Sequence, residues 1–399
     1  MNDNEEPKFN FHELKLERVK VISVLGRGAK GVVFLVKDDE TEEFWAMKAI
    51  SRDFVEKKIH DGSEYRRVCF EQSVLSSFDH PLLPRLRGVF VTDKIVGYAI
   101  DYCPGRDLNY LKNKQSERTF ADDLIRFYAA EMVLALEYLH NQGIVYRDLK
   151  PENIMIQENG HIMLVDFDLS TKLSSKSRRS SPNHICVNTT PDSPTQKHLL
   201  FRCNSVISPG DSTSCSGCSS SYSARTDSDS TEKSNSFVGT EEYVAPEIVS
   251  GNGHDFAVDW WSLGVVLYEM LYGTTPFKSS NRNDTFCRIL KKQPDLVGEA
   301  TPLRDLIRKL LEKDPNQRIG LDGIKAHDFF RGVDWDSVLQ ISRPPYIPLN
   351  EEQCGDTNGI NKIDVELFVQ DVFAFSAVEK TNVNDNITDN HTKETFLVF

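Results

Sequence analysis

Apolar residues change their spacing at Gly105. Before it they fall in short runs of strand character. Val19 to Leu35 reads as two strands joined by a glycine-rich turn, Phe44 to Ile50 as a third that carries Lys48, and Val89 to Tyr102 as further strand. A helical stretch interrupts them from Glu64 to Ser77, where Val68, Glu71, Val74 and Leu75 share a face. Beyond Gly105 the intervals become three and four residues, over Asp122 to Asn141, Ala257 to Tyr272 and Leu303 to Leu311. Strands gathered first and helices after them predict an α+β fold. A small β-rich lobe is expected over about 19–101 and a larger, mainly helical lobe over about 102–330.

Two segments break the pattern. Between Thr171 and Lys233 apolar periodicity fades, and 19 serines fall within 174–236. Such a stretch cannot bury enough apolar surface to offset its ordering entropy, so an insertion over about 172–233 is expected to be disordered. Lys176, Arg178 and Arg179 belong to a mildly basic set there that falls short of the usual lipid-binding cluster of about 4–8 basic residues, so at most weak association with an anionic membrane surface is expected. Cys215 and Cys218 have zinc-ligand spacing but no second pair, which leaves them as loop. Residues 331–399 read as an extended tail that ends on Phe396-Leu397-Val398-Phe399, and residues 1–18 as a short extension.

Charge and cysteine content exclude several classes. A net charge of −13 argues against general nucleic-acid binding and suits cationic partners. The 8 cysteines are too irregular for a disulfide framework, and no apolar run approaches the ~18 residues of a membrane span. The acidic start is no secretory signal, Asn2 stands where myristoylation needs glycine, and no prenylation cysteine ends the chain. The expectation is a cytoplasmic or nuclear protein, peripheral at the plasma membrane at most, and a monomer.

The chemistry concentrates in Tyr146-Arg147-Asp148-Leu149-Lys150-Pro151-Glu152-Asn153, followed thirteen residues after Asn153 by Asp166-Phe167-Asp168. Moving a phosphoryl group from ATP to a hydroxyl needs this set. Asp148 would accept or orient the hydroxyl proton, Lys150 would balance charge on the transferring phosphate, and Asn153 and Asp166 would hold Mg²⁺. Upstream, Gly26-Arg27-Gly28-Ala29-Lys30-Gly31-Val32 lets backbone N–H groups approach phosphates. Alone this pattern is weak, and a dinucleotide fold would claim it too. That fold needs a helix directly after the glycines, whereas Val32-Val33-Phe34-Leu35 continues as strand. Lys48 is expected to pair with Glu71 and face the α- and β-phosphates, with Glu64 as the competing partner. Thr240 in Gly239-Thr240-Glu241-Glu242-Tyr243-Val244-Ala245-Pro246-Glu247 can hydrogen-bond Asp148 and Lys150, which suits Ser/Thr substrates. Glu247 needs a buried cation, for which Arg318 is the candidate, and Asp259 would brace the catalytic loop.

In order and identity these residues resemble a eukaryotic protein kinase over roughly 19–330. Tyr146 before the catalytic loop, the Pro345…Pro348 spacing and the Phe396…Phe399 terminus look like the AGC group. The Asp166-Phe167-Asp168 variant and the long insertion before Ser236 look like its plant-specific branch. The resemblance implies a bilobal fold, with Gly26, Gly28, Gly31, Val32, Lys48, Glu71, Asp101, Cys103 and Asp107 around ATP. It implies that Asp107, Glu152 and Glu269 read arginines of a basic protein substrate. It also implies control by phosphorylation of Ser236, paired with Arg147, and recruitment of the phosphoinositide-dependent kinase through Phe396 and Phe399. Asp168 replaces the usual glycine, which makes a flipped, inactive state of this segment less accessible. The acidic stretch that tethers such tails over the nucleotide has only a loose match in Asp371-Val372-Phe373. A pseudokinase scaffold acting through insertion and tail is the rival reading.

Overall fold

The computed structural model describes residues 12–28, 30–57, 63–173, 233–348, 363–379 and 397–398. The described residues all belong to one compact unit, and residues 175–231 lie outside them. Phe396 and Phe399, Cys215 and Cys218, and the basic residues at 176–179 also fall outside them.

The β-rich lobe is built on β1 (Val19–Arg27), β2 (Gly31–Asp38) and β3 (Phe44–Ser51), followed by α1 (Arg52–Lys57) and α2 (Ser63–Ser76). The run from Val89 to Tyr102 resolves into β4 (Leu86–Val91) and β5 (Ile95–Asp101). The break falls at Thr92, whose Oγ1 accepts from the N–H groups of Lys94 and Ile95 at 3.2 and 3.1 Å. Antiparallel pairing gives the order β1-β2-β3-β5-β4. Alternation along β2 and β3 puts Val32, Phe34, Val36, Met47 and Ala49 in one buried cluster. Val33, Leu35, Ala46 and Lys48 face the other way, into a cavity.

The helical lobe carries α3 (Leu108–Lys114) and α4 (Asp122–Asn141), then the short strands β6 (Ile144–Val145), β7 (Ile154–Ile156), β8 (Ile162–Leu164) and β9 (Thr171–Lys172). After the insertion come α5 (Pro246–Ser250), α6 (Ala257–Tyr272), α7 (Arg282–Lys291), α8 (Pro302–Leu310) and α9 (Leu321–Lys325). Helix α6 is buried from Val258 to Met270, which makes it the axis of this lobe, and its Gly264 lets α8 close in. A Cβ there would stand 2.8 Å from that of Leu310.

The tail departs from the sequence expectation. It begins with turns and a single 3-10 turn at Val338–Gln340 and then runs irregularly past the helical lobe, where the Tyr346 carbonyl lies so close to Gly160 that a Cβ would meet it at 2.1 Å. Then α10 (Val365–Glu379) packs on the outer face of the sheet. Val365 and Val369 are buried there, and Phe368 meets Phe34 edge-on at 5.7 Å. Asp371-Val372-Phe373 belongs to this helix rather than to an acidic strap. Finally β10 (Leu397–Val398) pairs in parallel with β1 opposite Gly26 and Arg27.

Candidate active site

A cavity of ≈ 1490 Å³ opens beneath the inner face of the sheet and continues along β1 to the start of α10, lined by Gly28, Gly31, Val33, Lys48, Cys103, Met155 and Asp166 among others. Asp101 also lines it, with its carboxylate held by Arg87 at 2.6 Å and by the Arg85 N–H at 3.0 Å. Val32 does not line it. Its side chain points into the outer cluster, and Val33 takes the place expected of it, because one step along a strand reverses the face. Gly26 sits in β1 opposite Val33. Gly31 is required by packing, since a Cβ would stand 2.4 Å from the Ala49 carbonyl oxygen on β3.

Lys48 donates to Glu71 at 3.1 Å and to Asp166 at 3.2 Å, so α2 and the start of the activation segment meet at one ammonium. Glu64 pairs elsewhere, with Lys30 at 2.9 Å. Burial alone would lower the Lys48 pKa, but Asp166 and Glu71 outweigh it and raise it well above the ordinary value. Burial likewise works against the Asp166 carboxylate, yet Lys48 and Lys150 hold it below its usual range. Phe167 is fully buried, 4.8 Å from Phe78 and 5.3 Å from Tyr146.

The catalytic loop closes on itself. Asp148 accepts from Lys150 at 2.8 Å, from Thr240 Oγ1 at 2.7 Å and from Asn153 Nδ2 at 2.9 Å. Lys150 also donates to Thr240 at 3.1 Å. Arg147 and Asp166 both adopt positive φ, +70° and +59°, a conformation that non-glycine residues hold only when their surroundings impose it. For Arg147 the restraint is Asp259, fully buried, which accepts from the N–H groups of Tyr146 and Arg147 at 2.9 and 2.7 Å. His140 holds the same carboxylate at 2.8 Å.

Asn153 Oδ1 is buried and finds no hydrogen-bond partner among the described residues. Such an oxygen next to an ionised Asp166 suits a hard cation. Among the described residues no three His, Cys, Asp or Glu side chains cluster as metal ligands. A two-ligand site fits Mg²⁺, which keeps waters and takes further oxygens from phosphates.

A family model for the protein kinase domain matches residues 19–192 and 219–330. The serine/threonine-protein kinase OXI1 of Arabidopsis thaliana is 60% identical over 94% of this chain and 89% of its own length. The chain is a serine/threonine protein kinase. It belongs with the plant AGC kinases. The serine/threonine-protein kinase UCN of Arabidopsis thaliana is 41% identical over 87% of each chain, and Phototropin-2 of Oryza sativa subsp. japonica is 39% identical over 83% of this chain and 34% of its own length. Protein kinases use ATP with a divalent metal and act on protein substrates.

The kinase anchors the segment between 233 and 247 at Arg147 and at Arg318. Arg147 Nη1 donates to Ser236 Oγ at 2.6 Å and to Ser234 Oγ at 3.1 Å. Burial pushes the Arg147 guanidinium down to about 10, so it stays charged at neutral pH. Arg66 and Arg67 of α2 line a cavity of ≈ 360 Å³ with Arg147 and Ser236, a basic pair that the sequence reading passed over because arginines on a helix ordinarily face water. Glu247 and Arg318 form a buried bidentate pair at 2.7 and 3.0 Å.

The three acids expected at the substrate groove differ. Asp107 is buried and caps α3 by accepting from the Tyr110 N–H at 2.7 Å, and it does not line the cavity under the sheet. Glu269 is buried between Lys112 and the Tyr243 hydroxyl. Glu152 is half-buried in the turn after Lys150, and burial raises its pKa. Among the described residues no helix is long and apolar enough to cross a membrane.

Proposed function

We propose that the kinase transfers the γ-phosphate of Mg-ATP to Ser or Thr of basic protein substrates, with Asp148 as the carboxylate that orients the attacking hydroxyl. The observation that carries this reading is the closed triangle of Asp148, Lys150 and Thr240, all within 3.1 Å of one another. Thr240 fixes Asp148 so that one oxygen keeps its direction while Lys150 reaches between it and the phosphate. Asn153 and Asp166 would hold Mg²⁺, which when bound would neutralise charge on the transferring phosphoryl group. Lys48, kept protonated by its two acids, would hold the α- and β-phosphates. Glu152 remains as the acid for substrate arginines, since Asp107 is committed to its helix cap and Glu269 to Lys112 and the Tyr243 hydroxyl. A scaffold would have no need of this complete set.

Activation would follow phosphorylation of Ser236. A phosphate there would meet Arg147 with Arg66 and Arg67 nearby, tying α2, and with it Glu71, to the ordered segment. Recruitment of the phosphoinositide-dependent kinase through Phe396 and Phe399, a role in plant stress or growth signalling, and residence in cytoplasm or nucleus complete the reading. Transfer of labelled γ-phosphate from Mg-ATP to an arginine-containing Ser/Thr peptide tests it. Asp148→Asn should lower the rate by about 10²–10⁴-fold with folding unchanged. Equal rates for the two proteins would end the assignment of Asp148.

A further inference from the structure

Two acid–lysine–acid bridges run side by side between the same elements. The inner one is Lys48 on β3, between Glu71 of α2 and Asp166. The outer one is Lys30 in the glycine loop. Its ammonium donates to the two oxygens of Asp168 at 2.9 and 2.7 Å and stands 2.9 Å from Glu64 of α2. The parallel follows from spacing. Glu64 and Glu71 are seven residues apart, two helical turns, and so share a face. Asp166 and Asp168 are two apart in a segment that turns sharply at Asp166, where φ is +59°. Lys30, Lys48, Asp166 and Asp168 all line the nucleotide cavity.

Glycine at 168 would leave Lys30 tied to Glu64 of α2 alone, with nothing to join it to the segment at 166–168, so the departure from Asp-Phe-Gly has a use here. A glycine-rich turn is otherwise costly to order, because each glycine gives up more backbone freedom than any other residue. The turn's own hydrogen bond, Gly28 N–H to the Gly31 carbonyl at 2.8 Å, closes it locally but does not set its position over the cleft. We infer that Lys30 is a positioning residue: through Asp168 and Glu64 it holds the glycine loop over the phosphate end of the cleft before nucleotide arrives. The loop's ordering entropy is then lost on folding rather than on binding, which strengthens nucleotide affinity. Direct phosphate contact by Lys30 fits less well. Its ammonium already faces three carboxylate oxygens, and a phosphate would have to displace one of them. The effect on affinity rests on the ATP-binding reading above, but the bridge itself does not.

A double-mutant cycle with Lys30→Ala, Asp168→Asn and the double variant separates the two. Hydrogen exchange of the loop amides, 25–31, is read on nucleotide-free protein, and the affinity for ATP by equilibrium titration. Lys30→Ala should speed loop exchange and weaken ATP binding about threefold to tenfold, most of it in KM for ATP rather than kcat. The double variant should be no worse than either single one, and Lys30→Arg should keep wild-type exchange. Unchanged loop exchange in Lys30→Ala would overturn the bridge. Additive losses of affinity would overturn it too, by placing Lys30 on the nucleotide itself. Faster exchange in a protein that binds no ATP would leave the bridge standing and remove the proposed function.

Discussion

The two faces of the β-rich lobe's sheet are made from alternate residues of the same strands, yet they are built to opposite ends. The outer face gathers Val32, Phe34, Val36, Met47 and Ala49 with Val365 and Val369 of the tail into a continuous apolar cluster. The inner face keeps Val33, Ala46 and Lys48 open to a cavity, with two acids, Glu71 and Asp166, against that lysine. Stability is stored on one side and binding capacity on the other. Neighbouring residues should therefore separate cleanly in their effects, although they touch the same backbone.

Phe34→Ala is the strongest way to break this division. Phe34 is fully buried and packs on Phe368 of the tail helix, so truncation should cost about 3–5 kcal/mol and release the tail from the sheet. Phosphoryl transfer per folded molecule should hold below the lowered melting point. A large fall in kcat at full folding would mean that the outer face shapes the cleft after all. Val33→Ala, one residue away, should do the reverse. It removes apolar contact in the cavity, so KM for ATP should rise about fivefold while stability changes by about 1 kcal/mol or less. Chemical denaturation and ATP titration on the same two proteins decide both. If Val33→Ala unfolds the lobe instead, the two faces are not separable.

Much of this was readable from residue order, and the limits have physical reasons. Strands and helices showed because burial imposes their periods, and Lys48 found Glu71 because one helix face offered an acid with an apolar frame in Val74 and Leu75. The face of β2 was misjudged by one residue. Where a strand's alternation begins depends on how the glycine turn enters it, and that is geometry rather than composition. The tail helix was missed although Val365, Phe368, Val369 and Val372 have helical spacing, because its partner surface lies on β2 and β3, far earlier in the chain. Asp107 reads equally as a ligand or a cap until the N–H of Tyr110 is seen to point at it. Asp168 showed as a departure, but its partner Lys30 lies 138 residues away and had no signal of its own.

The tail is held by apolar contact on both lobes, through α10 on the sheet and through Val338 on the helical lobe, where a titratable group adds to it. His161 faces Glu131 through Nδ1 and the Ile341 carbonyl through Nε2 at 3.2 Å, two acceptors that only the doubly protonated ring can satisfy. The hydrogen bond with Glu131 raises the His161 pKa above its ordinary value, against the effect of burial. A pKa higher in the folded than in the unfolded chain stabilises fully below the unfolded value, and the benefit is lost as pH rises through the folded one. His80 and His254 are lowered by burial and run the opposite way, so the measurement has to be a difference. Between about pH 6 and pH 9 the melting point of the wild type should fall more than that of His161→Gln. The loss should be small beside that of Phe34→Ala, since one ring anchors one carbonyl while α10 buries a helix face. Parallel pH profiles for the two proteins would show that the tail's hold on the helical lobe does not depend on this proton, leaving the apolar attachment to carry it.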